Sequence, residues 1–263
     1  MKLYEYRSMR ELLSTPIKIF PFLTTVVFVL LLSSCFVHDL STEPGDEHKS
    51  IKGSGITISE ERDLPFFNSI SMNTAGLVTT SSGDEQFVEI TVDDNVMEYI
   101  SVYVRDQVLV IETINHVSLS DYDLTVDVVM TDLRSLTTNS AGSIQGLNTF
   151  EEDRINLTIN SAGSIILDLN VSELNTMINS AGSMLLSGEA VCHHSILSSA
   201  GNLLAFDLKT DTTMIILNSA GNASVWVLDL LEVTINSVGC VYYKGHPRII
   251  QDINSIGCVI SAN

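Results

Sequence analysis

Positive charge is scarce in this chain. Its 263 residues hold 13 Lys and Arg against 32 Asp and Glu, a formal net charge of −19. Four of those cations, Lys2, Arg7, Arg10 and Lys18, lie ahead of Cys35, so the rest of the chain is more acidic still. A body of this charge repels nucleic acid and anionic lipid headgroups, and no nucleic-acid partner is expected. Attraction of divalent cations or a basic partner is the functional reading of the charge; solubility alone is a sufficient one. Catalytic signatures are missing too: there is no Gly-x-Ser-x-Gly, His-Glu-x-x-His or phosphate-binding Gly-Lys-Ser/Thr. Helical periodicity of useful length is absent from the second half of the chain, which excludes helical repeats.

What is present is a phrase that returns. Asn139-Ser140-Ala141-Gly142-Ser143 recurs from Asn160, Asn179, Ser198, Asn218, Asn236 and Asn254. Its glycines are Gly142, Gly163, Gly182, Gly201, Gly221, Gly239 and Gly257, in steps of 21, 19, 19, 20, 18 and 18 residues. A fixed period near 20 marks a solenoid, each repeat one coil stacked on the next. Between the glycines run short apolar stretches such as Ile155-Asn156-Leu157-Thr158-Ile159 and Met214-Ile215-Ile216-Leu217. Period-2 alternation with β-branched residues reads as strand. The expected fold is therefore all-β: a parallel β-helix-like solenoid with coils of about 18–21 residues. A leucine-rich repeat shares the period, but its fixed Leu offsets are not kept; the Gly-Gly-x-Gly-x-Asp pattern of calcium-binding β-rolls is absent.

Each residue of the phrase has a physical use. Gly either takes positive φ or lets neighbouring backbone come close. An Asn at one place in every coil stacks on its copies, amide to amide along the axis. Asn139, Asn160, Asn179, Asn218, Asn236 and Asn254 are expected to form such a ladder in the interior, broken at Ser198. The alternative is repeated surface turn chemistry outside any stack.

The first 34 residues read as a signal. A basic stretch precedes the mostly apolar run Ile19 to Leu32, followed by Leu32-Ser33-Ser34-Cys35. That ending resembles the lipobox of bacterial lipoproteins, in which the cysteine is lipidated and becomes the mature N-terminus; Cys35 is the expected lipidation site. The competing reading, a transmembrane anchor, needs about 20 apolar residues. Residues 35–55 are polar, contain Pro44 and Gly45, and are expected to be a flexible tether. The organisation expected is thus signal (1–34), tether (35–55) and one elongated body (56–263), irregular over 56–135 and regular over 136–263.

Strand patterns resume at Ile56-Thr57-Ile58 and continue through Phe87–Val92, Ile100–Val104, Val108–Ile111 and Leu124–Val129, with a turn at Arg105-Asp106-Gln107. An early copy of the phrase reads Asn73-Thr74-Ala75-Gly76-Leu77. The opening from Ile58-Ser59-Glu60-Glu61-Arg62-Asp63-Leu64-Pro65-Phe66-Phe67-Asn68-Ser69-Ile70, then Gly76, Val88–Asn95 and Val108–Ile111, followed by the Asn-Ser-Ala-Gly-Ser phrases, resembles the head GIN domain family (auto-transporter adhesin-like, DUF2807) over roughly residues 56 to 260. The resemblance implies a β-helix-like solenoid in an exported or lipid-anchored protein, with an adhesin label and no catalytic residues to carry over. The last two coils depart from the pattern, with Val238 and Ile256 for Ala and Cys240 and Cys258 for Ser.

Few residues suggest chemistry. His193 and His194 are adjacent, so on a strand they point to opposite faces and do not share a metal ion. Asp93-Asp94-Asn95 and Asp121-Tyr122-Asp123 are weak calcium candidates, more simply read as solvated loops. Trp226, Tyr242 and Tyr243 suggest a sugar-stacking platform, against which coil packing is the preferred reading. No metal or cofactor is expected. Two function classes follow. One is a non-enzymatic cell-envelope module, anchored to the membrane through its N-terminal lipid, that binds a protein or glycan through the solenoid side. The other is a polysaccharide lyase or hydrolase, which needs carboxylates converging on one face; Asp168, Asp207 and Asp229 follow the phrase at similar offsets, but only Arg154, Lys209, Lys244 and Arg248 are basic after Asn139. The first class is favoured. Finally, Cys240 and Cys258 hold one place in consecutive coils, about 4.8 Å apart if stacked. They are either bonded or adjacent reduced thiols; in-register side chains point the same way, which disfavours the bond's dihedral and favours stacked thiols.

Overall fold

The computed structural model describes residues 49–114 and 117–263. The signal, Cys35 and most of the expected tether lie outside the described residues.

The regular half is built from five long strands, β11 (Ser143–Ile159), β12 (Ser164–Ile178), β13 (Ser183–Leu197), β14 (Asn202–Leu217) and β15 (Asn222–Ile235). They pair in parallel, each with the next, with the post-glycine residue in register throughout: Ser143, Ser164, Ser183, Asn202, Asn222. Each long strand wraps most of one coil, and the Asn-Ser-Ala-Gly corner closes it. A strand of 15 residues would reach about 50 Å if straight, so it must bend. The sequence shows where. In β12, Ile165, Leu167, Leu169 and Val171 are buried, Ser172 and Glu173 both leave the core, and burial resumes at Leu174, Thr176 and Ile178. Two outward residues in succession shift the alternation by one and turn the strand around the core. The same slip falls at Val191-Cys192 in β13 and Asp211-Thr212 in β14. The last coils are carried by β16 (Cys240–Lys244), β17 (Arg248–Ile253) and β18 (Cys258–Ser261): β16 and β17 pair with the two ends of β15, and β18 pairs with β16.

The glycine requirement is close approach. At Gly163 a Cβ would stand 2.6 Å from the Gly142 carbonyl oxygen, and at Gly239 2.5 Å from that of Gly221. Both distances are far inside van der Waals contact. The backbone itself uses that proximity: Ser164 N–H donates to the Gly142 carbonyl at 3.2 Å and Cys258 N–H to that of Gly239 at 3.0 Å.

The irregular half does not simply add coils in chain order. Strands β3 (Ser69–Met72) and β4 (Leu77–Ser82) flank the early phrase copy and stack directly beneath β10 (Ser135–Thr138) and β11. On the other side of β3 and β4 lie β7 (Val108–Thr113) and β9 (Thr125–Met130), also parallel. The chain thus doubles back, and the β3–β4 coil is sandwiched between later ones. Antiparallel strands end the stack: β6 (Ile100–Arg105) on β7, β5 (Phe87–Asp93) on β9, and β2 (Thr57–Glu61) on β5. The β6–β7 hairpin turns through Asp106 and Gln107 with φ of 52° and 63°, the two left-handed residues of a tight hairpin. β1 (Lys49–Lys52) pairs in parallel with β8 (Val117–Ser120), so residues 49–52 of the stretch expected to be a flexible tether are strand.

Candidate interaction face of the solenoid

The corner asparagines are stacked, and they lie outside. Asn160 Nδ2 donates to Asn139 Oδ1 at 2.7 Å and Asn179 to Asn160 at 2.7 Å; after the gap at Ser198, Asn236 donates to Asn218 at 2.8 Å and Asn254 to Asn236 at 3.0 Å. The ladder also reaches back to the early copy, with Asn139 donating to Asn73 at 2.7 Å. All six corner asparagines are solvent-exposed, which corrects the expectation of an interior ladder. The reason is alternation: each follows a core residue, Ile159 before Asn160 and Ile178 before Asn179, so its own side chain must point outward.

Cys240 and Cys258 are joined in a disulfide across adjacent strands, with Cα atoms 4.6 Å apart. The expectation of stacked free thiols is corrected; the register assigned to the pair is the one that places their sulfurs within bonding reach. Cys192 is the free cysteine among the described residues, half-buried and accepting from the Thr212 hydroxyl at 3.3 Å.

The acidic loops are occupied with structural work. Asp93 is buried; its carboxylate accepts from Gly55 N–H at 2.5 Å and Asp123 N–H at 3.1 Å. Those two bonds, Gly55's first, hold its pKa below the usual carboxylate value. Asp94 takes the Ser54 hydroxyl at 2.6 Å, Asn95 takes Ser54 N–H at 3.0 Å, and Lys52 pairs with Asp121 at 3.1 Å. Together they pin residues 52–55 to the body. His193 is fully buried and His194 is exposed, so the two histidines point to opposite sides.

Nor do the aspartates assemble a reactive pair. Asp168 and Asp207 are each in register with Ser187, which separates them by a coil, beside a shallow depression lined also by Ile166 and Leu185. Asp229 has no register partner with either.

The outer face of the post-glycine strands is different in character. Along one register line run Ile166, Leu185, Leu204, Ser224, Tyr242 and Ile260. The five apolar members of that line are exposed, Leu185 by 44% and Leu204 by 45%. One step along the strands, Trp226 is also exposed, whereas Tyr243 packs against the core. The preferred packing role for Trp226 and Tyr242 therefore gives way to a surface one. An apolar strip of this kind, interrupted only at Ser224, on an acidic body is what an interaction surface looks like. Alternation makes these residues outward-facing, and only their recurrence at one register position marks the strip.

The family model described as "Putative auto-transporter adhesin, head GIN domain" (DUF2807) matches residues 66–247. The chain belongs to the head GIN domain family. Its solenoid is similar to several solved structures. A protein from Bacteroides fragilis titled a putative adhesin superposes with a TM-score of 0.77 at 19% identity, covering 80% of this chain and 99% of that one. One from Parabacteroides distasonis titled a putative lipid binding protein gives 0.70 at 19% identity, covering 82% and 100%. A second from that organism, titled a putative adhesin, gives 0.64 at 22% identity, covering 81% and 100%. At these identities the likeness is one of fold. No curated protein matches the chain.

Proposed function

We propose that this head GIN protein is a non-enzymatic, exported cell-envelope lipoprotein, anchored through Cys35, whose solenoid side docks a partner. The observation that carries the docking reading is the exposed line Ile166, Leu185, Leu204, Tyr242 and Ile260, five apolar side chains at one register position on six successive coils, interrupted once by Ser224. A monomer gains nothing by leaving such a line in water. The adhesin description of the family agrees with it. Leu32-Ser33-Ser34-Cys35 after an apolar run supports lipidation, and the residues that follow Cys35 have the polar composition of a linker. The dispersal of Asp168, Asp207 and Asp229 is the reason for setting a lyase or hydrolase aside.

The test is made on whole cells. Metabolic labelling with a fatty-acid analogue should mark the wild-type protein and not Cys35→Ala. External protease should remove the body if it faces outward and spare it if it faces the periplasm. Label retained by the Cys35→Ala variant would refute lipidation at that residue.

A further inference from the structure

Three lysines of this acidic chain lie against aromatic rings: Lys49 against Tyr99 and, on the solenoid side, Lys209 against Trp226 and Lys244 against Phe206. Lys209, Trp226 and Lys244 are successive Cα partners on three adjacent coils. Trp226 and Tyr242 are 37% and 36% exposed, and Tyr242 lies two residues before Lys244, on the same side of its strand. The Lys244 ammonium stands 4.6 Å from the centre of the Phe206 ring and that of Lys209 6.0 Å from Trp226. Neither lysine takes part in an ion pair among the described residues, although Glu189 is the register partner of Lys209 and Asp207 and Asp211 flank it in sequence. Half of the four basic residues that follow Asn139 are thus gathered in one patch with three aromatic rings.

We propose that this patch is a binding site for an acidic polysaccharide, one whose sugar rings carry carboxylates. The inference rests on the reading of the solenoid side as the docking face and names the ligand. Aromatic rings stack on the C–H faces of sugars, and an ammonium already held against a ring is placed to take the carboxylate of a sugar lying on that ring. The lysines are two strand spacings apart, about 10 Å, so they meet separate sugars along one chain running parallel to the solenoid axis. The surroundings select against other anions. Glu189 and Asp211 line one depression with Lys209, and Asp207 lies two residues from that lysine, negative charge that a densely charged nucleic acid or an anionic bilayer would have to face. A sugar acid polymer spaces its charges between uncharged apolar faces, so it sets fewer charges against these carboxylates than either alternative.

Trp226 is the sole tryptophan of the chain, so its fluorescence reads the site directly. The full-length protein, in detergent, would be titrated with oligogalacturonate. The expected result is a saturable change in Trp226 emission that weakens as salt screens the lysines. The same oligomer with its carboxylates methyl-esterified should bind at least tenfold more weakly. So should the acid oligomer to the double variant Lys209→Gln/Lys244→Gln, whose melting temperature should stay close to the wild type because neither side chain is buried in the core or ion-paired among the described residues. By calorimetry Trp226→Ala should also lose tenfold or more. No saturable response, an equal response to the esterified oligomer, or a response unchanged in the lysine variant each overturns the proposal. Lysine-dependent binding to phosphatidylglycerol vesicles without sugar binding would assign the patch to lipid and also overturn it. These readouts are independent of Cys35 labelling and of protease protection, so a failed titration in a protein that is exported and lipidated would refute the ligand and leave the envelope reading intact.

Discussion

Cys240 and Cys258 sit in register on adjacent parallel strands and are bonded to each other, 18 residues apart in sequence. The bond closes a loop that is one whole coil, from β16 through β17 to β18. These are the strands with the least on their outer side: β17 pairs with β15, and β18 with β16, and neither carries a further strand among the described residues. A covalent closure there replaces the packing that inner coils receive from both neighbours.

Closing a loop of this length is worth about 3 kcal/mol in the chain-entropy account. Intact mass spectrometry of exported protein without reductant should show the bond, with Cys192 alone alkylated under native conditions. Cys258→Ser should lower stability by about 2–4 kcal/mol and raise amide exchange in β17 and β18 far more than in β12 or β13. Uniform loss of protection along the whole solenoid would show that the staple acts on global folding and not on the final coil.

The amide ladder offers a repair. Its register is continuous from Asn73 to Asn179 and again from Asn218 to Asn254, and it fails at Ser198, where the hydroxyl is too short to reach either neighbour. Ser198→Asn should insert one amide between Asn179 and Asn218 and restore two hydrogen bonds. Each contributes about 0.5–1.5 kcal/mol at best, with the low end expected for exposed groups, so the net gain is about 1 kcal/mol. Asn179→Ala, which removes the single bond to Asn160, should lose about half that amount. Thermal melts of the two variants should move in opposite directions; a fall in both would mean that the corner does not accept an amide at position 198.

A sharper cost is expected at the corner glycines. At Gly221 an added Cβ would lie 2.7 Å from the Gly201 carbonyl oxygen and 2.9 Å from that of Ser199. Both obstacles are backbone of the coil below, so relief requires the coils to part. Gly221→Ala should therefore destabilise by about 1–3 kcal/mol, the usual range for overpacking. The neighbouring substitution Ala220→Ser, at an exposed position, should be close to neutral. Equal melting temperatures for the two variants would refute close approach as the reason for glycine.

Much of this architecture is legible in the residues. The phrase gives the coil period and the register, and the post-glycine line from Ser143 to Cys258 is what one would draw from the sequence alone. The direction of the asparagines is legible too, since Ile159 precedes Asn160 and alternation turns the amide outward. The doubling back of residues 69–142 was not. Ser69–Met72 and Ser135–Thr138 pair across a long excursion, and nothing in two short alternating strands says which partner they choose, because pairing depends on loop closure and not on pattern. The candidate site falls between these cases. Trp226 and Tyr242 are visible as aromatics, but their common outward face with Lys209 and Lys244 depends on a bulge in β14 near Ala205 that shifts the register with β15.

The last prediction concerns the core. His193 is fully buried between Leu174 and Thr213 of the adjacent coils. The Thr176 hydroxyl donates to Ser195 Oγ at 2.9 Å and lies 3.0 Å from His193 Nε2. Thr176 therefore accepts from Nε2–H, which assigns the neutral tautomer by its hydrogen bonds and leaves the Nδ1 lone pair without a partner. Burial, with a smaller contribution from His194, lowers the His193 pKa from 6.5 to about 3. The folded state thus binds fewer protons than the unfolded one wherever the pH lies between those values. Stability is unaffected by His193 above about pH 6.5 and falls as the pH drops below it, by about 1.4 kcal/mol per pH unit until the folded state also protonates near pH 3. Leucine occupies the same inward position in two other coils, at Leu174 and Leu231, so His193→Leu should fold. In urea unfolding, the variant's stability relative to wild type should rise by about 2.7 kcal/mol between pH 7.5 and pH 4.5, the two units of that interval below 6.5. Measuring the difference between the two proteins cancels the acid titration of the many carboxylates they share. A difference that does not change with pH would mean that His193 reaches water and protonates in the folded protein.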